Sequence, residues 1–128
     1  MPFEADLKSH LSGDSGIAAA VGDRLHPVRL PEGTTKPAIV YAKVGAIPQT
    51  DLDSDDGDLL EIRLQVDCWA SGFETVAALA ELVRLRMQAA TMTANNFRIG
   101  SVFAQDGYDI EAKLYRVTID FGCWYRTS

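Results

Sequence analysis

The strict alternation of apolar and polar side chains in residues 60–69 constrains this fold more than any other feature of the chain. Because successive side chains of a strand point to opposite faces, this pattern predicts a strand with one buried and one exposed face. Residues 113–125 repeat the pattern. The buried faces are predicted to hold Leu60, Ile62, Leu64, Val66 and Cys68 in one strand and Tyr115, Val117, Ile119, Phe121, Cys123 and Tyr125 in the other.

Three segments are predicted to form helices that cover one face of this sheet. Residues 3–11 have apolar side chains at helical spacing, and residues 16–21 form a short apolar turn. Residues 73–90 carry an apolar stripe, predicted to consist of Phe73, Val76, Ala77, Ala80, Val83 and Met87. Ser71 and Glu74 have the spacing of a capping box, which predicts that the last helix begins there.

Two further strands complete the prediction. They cover residues 37–44 and 97–105, and Asp106-Gly107 supplies turn chemistry before the last strand. The predicted order is helix, strand, strand, helix, strand, strand. This order indicates a single α+β domain over residues 1–128, with a mainly antiparallel four-stranded sheet and helices packed on one face. An acidic hairpin loop at about residues 49–59 is expected between the first two strands.

Charge and hydropathy exclude several partners. The formal net charge is -6 and the basic residues are scattered, whereas a nucleic-acid surface needs clustered lysine and arginine. The longest apolar runs are far shorter than the roughly 20 residues that cross a bilayer, so no membrane association is expected. Synthesis in the cytosol is therefore expected, with Cys68 and Cys123 as free buried thiols.

The acidic loop has a partial likeness to a calcium site. Asp51, Asp53 and Asp55 have the spacing of calcium ligands, but Asp56 and Ile62 occupy the places where an EF-hand needs glycine and glutamate. Strands, not helices, are predicted on both sides. The pattern therefore favours a solvated hairpin loop, and no metal site is predicted.

The sequence offers little that could act as a catalytic site. His10 and His26 are the two imidazoles, and neither lies in a spacing that links it to a cysteine or serine nucleophile. We expect both to be surface residues. No zinc-binding spacing or phosphate-binding loop is present. The chain is therefore predicted not to be an enzyme and to need no cofactor.

Trp69 and Trp124 are the most informative candidate residues. Each follows a cysteine near the end of a strand, and the alternation places both on the face opposite the buried residues. A tryptophan on a polar sheet face indicates contact with another surface. The alternative is that both rings fold over the sheet edge or lie under the first helix. An interface would also explain the charges on the same face, where Asp67 and Asp120 are expected to pair with Arg63 or Arg116.

Four motifs occur in order along the chain: VGDRLHPVRLP, PAIVYAKV, RLQVDCWA and LYRVTIDFGCWYR. Together they resemble the tail completion proteins of long-tailed bacteriophages, and the similar tail terminator proteins, over about residues 17–126. The resemblance implies a structural virion protein encoded by a phage or prophage. It also implies a closed ring, expected to be a hexamer, that caps the tail tube at its head-proximal end, stops tube growth and mediates head-tail joining.

The resemblance implies partners as well. They are further copies of the chain, the tail tube protein and the head connector or stopper protein, with DNA only passing through the lumen and assembly in the bacterial host cytoplasm. The acidic loop is expected to face the tube or lumen and repel DNA through Asp51, Asp53, Asp55, Asp56 and Asp58. The candidate ring contacts are Trp69, Trp124, Arg63, Arg116, Asp67, Asp120 and Arg24.

Two other functions compete with this interpretation. A small bacterial binding or adaptor module would not need to form a ring. A metal-dependent hydrolase would need a paired base and nucleophile, which the sequence does not display.

Overall fold

The computed structural model describes residues 3–30, 33, 36–49, 59–111 and 113–126, and it shows helices packed on one face of a sheet. The α+β class predicted from the sequence is confirmed. In chain order the elements are α1 (Phe3–Ser12), α2 (Ser15–Val21), β1 (Leu25–Pro27), β2 (Ala38–Gln49), β3 (Leu59–Ala70), α3 (Phe73–Gln88), α4 (Met92–Asn95), β4 (Phe97–Asp109) and β5 (Leu114–Arg126).

Within these described residues the sheet is mixed and has five strands in the order β1-β2-β3-β5-β4. The prediction of four strands was wrong because it missed β1, which pairs in parallel with β2 from Leu25↔Ile39 to Pro27↔Tyr41. A three-residue strand is too short to show an alternating pattern. Backbone hydrogen bonds hold it, among them Val28 N–H to the Tyr41 carbonyl at 2.8 Å. His26, which was expected at the surface, therefore lies on a strand and is partly buried.

The predicted turn at Asp106-Gly107 was also wrong. Strand β4 continues through both residues, where Asp106 pairs with Val117 and Gly107 pairs with Arg116 of β5. The chain reverses only after Asp109, and Lys113 beyond it has a φ of 56°. Asp-Gly chemistry favours a turn locally, but continued pairing with β5 decides the structure.

The core lies between the sheet and the helices. Residues predicted to share the buried faces of β3 and β5 are buried there, apart from Leu60 and Tyr115, which are partly buried. In α3 the predicted stripe was partly wrong, because Phe73 is 50% exposed and Ala77 is exposed, while Leu79 is buried in their place. The helices contribute Phe3, Leu7, Leu11, Ile17, Val21, Val76, Leu79, Ala80, Val83 and Met87 to the core.

The helix starts differ from one another in their capping. Asp14 caps α2, with its Oδ2 accepting a 2.9 Å hydrogen bond from Ile17 N–H. The capping box predicted for α3 was wrong, because Gly72 occupies the N-cap position and makes no side-chain cap bond. Glu74 still lies in the first turn, where a carboxylate is favourable near the positive end of the helix. No helix in the described part of the chain is long and apolar enough to cross a membrane.

His10 is buried, although the sequence predicted a surface residue. Its Nε2 donates to the Arg86 carbonyl at 2.6 Å, and its Nδ1 accepts from the Asn95 amide at 3.1 Å. A carbonyl oxygen can only accept, so Nε2 carries the proton of the neutral ring. Arg86 Nε in turn donates to the His10 carbonyl at 2.8 Å. These bonds fasten α1 to α3 and α4.

This arrangement predicts a pH-dependent stability. Burial lowers the pKa of His10 below its usual 6.5, and the positive charge of Arg86 lowers it further. The hydrogen bond to the Arg86 carbonyl and the negative charge of Asp14 raise the pKa, but they do not cancel the effect of burial. Because the unfolded chain binds the proton more readily, this contribution is present above the unfolded pKa and lost as pH falls below it. We expect the thermal midpoint to fall from pH 7.5 to pH 5.5. The His10→Gln variant, which keeps a donor and an acceptor but cannot titrate there, should show a flatter profile; an unchanged slope would contradict this assignment.

Candidate assembly face

The side of the sheet opposite the helices is the surface on which most sequence-predicted site residues meet. Strand register places them side by side, and within the described residues no helix covers them. We call this surface the open face. It comprises His26, Ala42, Glu61, Arg63, Gln65, Asp67, Trp69, Arg98, Ser101, Phe103, Gln105, Gly107, Arg116, Thr118, Asp120 and Trp124.

Trp69 and Arg116 form one end of the open face. They are register partners on β3 and β5, and the Arg116 guanidinium carbon lies 5.4 Å from the centre of the Trp69 ring system. A cation over an aromatic face at an exposed site contributes about 0.5–1 kcal/mol. On the other side of Arg116 is Gly107, where an added Cβ would lie 3.3 Å from the guanidinium. The missing side chain at Gly107 thus lets Arg116 lie flat across the strands.

Trp124 forms the opposite end. Its register partners are Glu61 on β3 and Arg98 on β4. The indole lies against Gly100, at which β4 bulges, and an added Cβ there would be 3.2 Å from the indole nitrogen. Trp124 therefore leans towards the edge strand β4. The interpretation that either tryptophan lies under the first helix was wrong, because both are on the face away from α1.

The centre of the open face is polar. Asp67 accepts from the Thr118 hydroxyl at 2.6 Å and from the Gln65 amide at 3.4 Å. Pairing of Asp67 with Arg63 or Arg116 was expected, but its two carboxylate oxygens are bonded to Thr118 and Gln65, and Arg116 lies over Trp69. Trp124 follows Arg116 by eight positions, so the two tryptophans stand about 27 Å apart along the strands.

A shallow cleft of about 310 Å³ lies on this face beside β4. Arg63, Asp120 and Phe103 line it, together with Ser101. Phe103 is 62% exposed although it is a large aromatic residue. Sequence reasoning missed Phe103 as a surface feature, and its parity with Ser101 and Gln105 on β4 is the signal that could have found it.

Arg24 lies away from the open face. Its guanidinium donates to the Pro37 carbonyl at 2.9 Å and to the Ala20 carbonyl at 3.1 Å. Both bonds are internal and join the end of α2 to the start of β2. The structure thus gives Arg24 a local role, and its part in a subunit contact stays a prediction.

The predicted acidic loop, with Asp51, Asp53, Asp55, Asp56 and Asp58, lies outside the described residues, as does the tested calcium spacing. The strand residues next to it are described: Gln49 of β2 pairs with Leu59 of β3, at the Trp124 end of the sheet. Among the residues that the structure describes, no group of three or more potential ligands is placed to hold a metal ion.

The fold and the open face define a class: an α+β protein whose most distinctive surface is a sheet face carrying tryptophan and paired polar groups. The family of the tail completion protein gp17 matches residues 5–126, so the chain belongs to this family. It is accordingly a structural protein of a phage-like virion tail and not an enzyme. The resemblance inferred from the four sequence motifs is confirmed.

Similarity to solved structures bears on the fold of this chain. A chain in the virion of the native gene transfer agent (GTA) particle is 19% identical, with 95% of this chain and 92% of that chain covered and a TM-score of 0.70. At this identity the likeness shows a shared fold. The SPP1 Dit (gp 19.1) protein, from a hub adsorption apparatus of Gram-positive infecting phages, is 16% identical over 72% of this chain and 41% of its own, and its TM-score of 0.28 is too low to support an argument. No curated protein matches the chain significantly.

Proposed function

We propose that this chain forms a closed ring, a hexamer, that caps the tail tube at its head-proximal end. The ring ends tube growth and offers a docking surface to the head connector or stopper protein. Family membership supports this role, and so does the similarity in fold to a chain of a phage-like particle. Assembly takes place in the host cytoplasm before the tail joins the head.

The open face is the observation that carries the proposal. It presents two tryptophans, an arginine stacked on one of them and an exposed phenylalanine, all on a sheet face without a helix cover in the described residues. Aromatic and arginine side chains are enriched among residues that dominate protein interfaces, and charged neighbours fix register. Arg63, Asp67, Arg116 and Asp120 supply those charges. We assign contacts within the assembled ring to this face.

The acidic loop is proposed to face the tail tube or the lumen. Its position in sequence, between the paired residues Gln49 and Leu59, puts its attachment points at the Trp124 end of the sheet. Like charge would keep passing DNA from adhering to the ring, and added salt would weaken this repulsion.

Alanine at Trp69 or Trp124 tests the proposal. Truncating an interface anchor costs about 2 kcal/mol or more, so each variant should raise the concentration needed for ring formation about 30-fold. Size-exclusion chromatography with light scattering across protein concentration measures this, together with the lengths of tail tubes grown in its presence. The variants should stay folded, since both tryptophans lie outside the core.

Leu85→Ala is the matched control. Leu85 is 53% exposed on α3, on the helix side of the protein, so its loss should leave ring formation unchanged. A wild-type chain that stays monomeric and never caps tail tubes would contradict the proposal that it forms a ring. A ring that forms equally well without either tryptophan would move its contacts away from the open face.

A further inference from the structure

The sheet has two long edges that lack a strand partner among the described residues. Strand β4 has thirteen residues, and within the described ranges it pairs with β5 on one side alone. On the opposite side of the sheet, β1 covers β2 only at Ile39–Tyr41, so residues 42–49 of β2 have no further strand partner in the described part of the chain. Exposed strand edges present unpaired N–H and carbonyl groups to other chains.

The register shows which parts of the two edges lie at the same level. Lys43 is level with Val102 through Leu64 and Phe121, so the uncovered part of β2 lies level with the first half of β4. Ile39 is level with Asp106 through Cys68 and Val117. Strand β1 therefore lies level with the second half of β4.

The second half of β4 and the segment around β1, which lie at the same level of the sheet, carry complementary charges. Residues 104–111 of the β4 edge and its turn contain Asp106, Asp109 and Glu111 and no lysine or arginine. Residues 24–30, which contain β1, carry Arg24 and Arg29 and no carboxylate. Arg24 is bonded internally to the Pro37 and Ala20 carbonyls, so Arg29 is the basic counterpart of the acidic strip on the other edge of the same chain.

The strand directions also match. Each of the pairs β2–β3, β3–β5 and β5–β4 is antiparallel, so β2 and β4 run in opposite directions. Placing β4 of one copy beside β2 of another copy of the same orientation therefore gives antiparallel pairing, the more stable arrangement. Pro27 of β1 and Pro48 of β2 have no N–H and interrupt main-chain pairing at these two points of the edge, whereas β4 contains no proline.

We infer that neighbouring copies in the ring join edge to edge, with β4 of one copy beside the β1–β2 edge of the next. This rests on the proposed ring function and names a joint between strand edges that adds to the contacts assigned to the open face. Two different edges of one chain make a heterologous contact, the type that generates a closed ring when the rotation closes. Main-chain bonds form between the first half of β4 and residues 42–47 of β2, before Pro48. Beyond the bulge at Gly100, β4 passes outside β1, and there the acidic strip meets Arg29.

Complementary charge reversal tests this joint. One variant carries Asp106→Lys with Glu111→Lys, and the other carries Arg29→Glu. All three residues are exposed, so the fold should be retained, which circular dichroism checks. Each variant alone places like charges across every joint and should raise the assembly concentration about tenfold or more. Mixed in equal amounts the two variants should assemble again, because an alternating ring restores opposite charges at each joint.

The matched control is Arg84→Glu, which changes the net charge as Arg29→Glu does but lies on α3. It should assemble like the wild type, alone and in mixtures. If the wild type forms rings while both variants assemble normally, or if the mixture fails to recover, the edge-to-edge joint is overturned and the ring stands. If the wild type forms a dimer, or stays monomeric both in solution and on tail tubes, the proposed ring is contradicted, and so is the edge-to-edge joint that depends on it.

Discussion

Replacing Phe97 by alanine is expected to lower the free energy of unfolding by about 3–5 kcal/mol, a large share of the roughly 5–15 kcal/mol that stabilises a domain. Phe97 is fully buried at the start of β4. Its ring makes edge-to-face contacts with Phe3 at 5.5 Å and with His10 at 5.6 Å between ring centres. The truncation leaves a cavity beneath α1, which the backbone of a sheet cannot collapse to fill. Urea unfolding followed by tryptophan fluorescence measures the change.

Phe103→Ala is the matched control on the same strand. It makes the same chemical change six positions along β4, but Phe103 is 62% exposed on the open face. Surface substitutions of this kind usually change stability by less than about 0.5 kcal/mol. Equal losses for the two variants would contradict the placement of the helices on one face only.

The alternation of the two central strands predicted the faces of the sheet correctly, because a strict period of two fixes which side chains share a side. The same alternation correctly predicted the side of the sheet on which Trp69 and Trp124 lie. The stacking of Arg116 on Trp69 did not follow. It depends on Gly107 being part of β4, and the local Asp-Gly chemistry indicated a turn there instead.

Strand β1 could not be predicted from pattern, since its three residues are held by pairing with β2 and not by a face of their own. The burial of His10 did have a signal in the sequence. His10 lies three residues after Leu7 and next to Leu11, which places it on the apolar stripe of α1. The prediction placed His10 at the surface because its side chain is polar. In the structure His10 is buried, because hydrogen bonds to α3 and α4 satisfy both ring nitrogens.

The second large effect concerns the two thiols. Burial raises the pKa of Cys68 to about 12 from the usual 9.0, with a smaller contribution from the Asp67 carboxylate, and burial alone raises the pKa of Cys123 to about 12. The thiolate is the reactive form, so at pH 8 a shift of this size lowers its fraction about 1,000-fold. We expect native protein to react with a thiol reagent such as DTNB at least about 100-fold more slowly than protein in urea.

A Ser101→Cys variant provides the control, because residue 101 is exposed on β4 and its thiol should react at once in the native state. Rapid reaction of the two native thiols would contradict their burial. Disulfide formation cannot explain slow labelling, since Cys123 pairs with Ile62, six positions from Cys68 and about 20 Å away along the strands. The labelling rate of the native thiols therefore reports opening of the sheet, and a joint between subunits that adds strand pairing at β4 should slow that opening further.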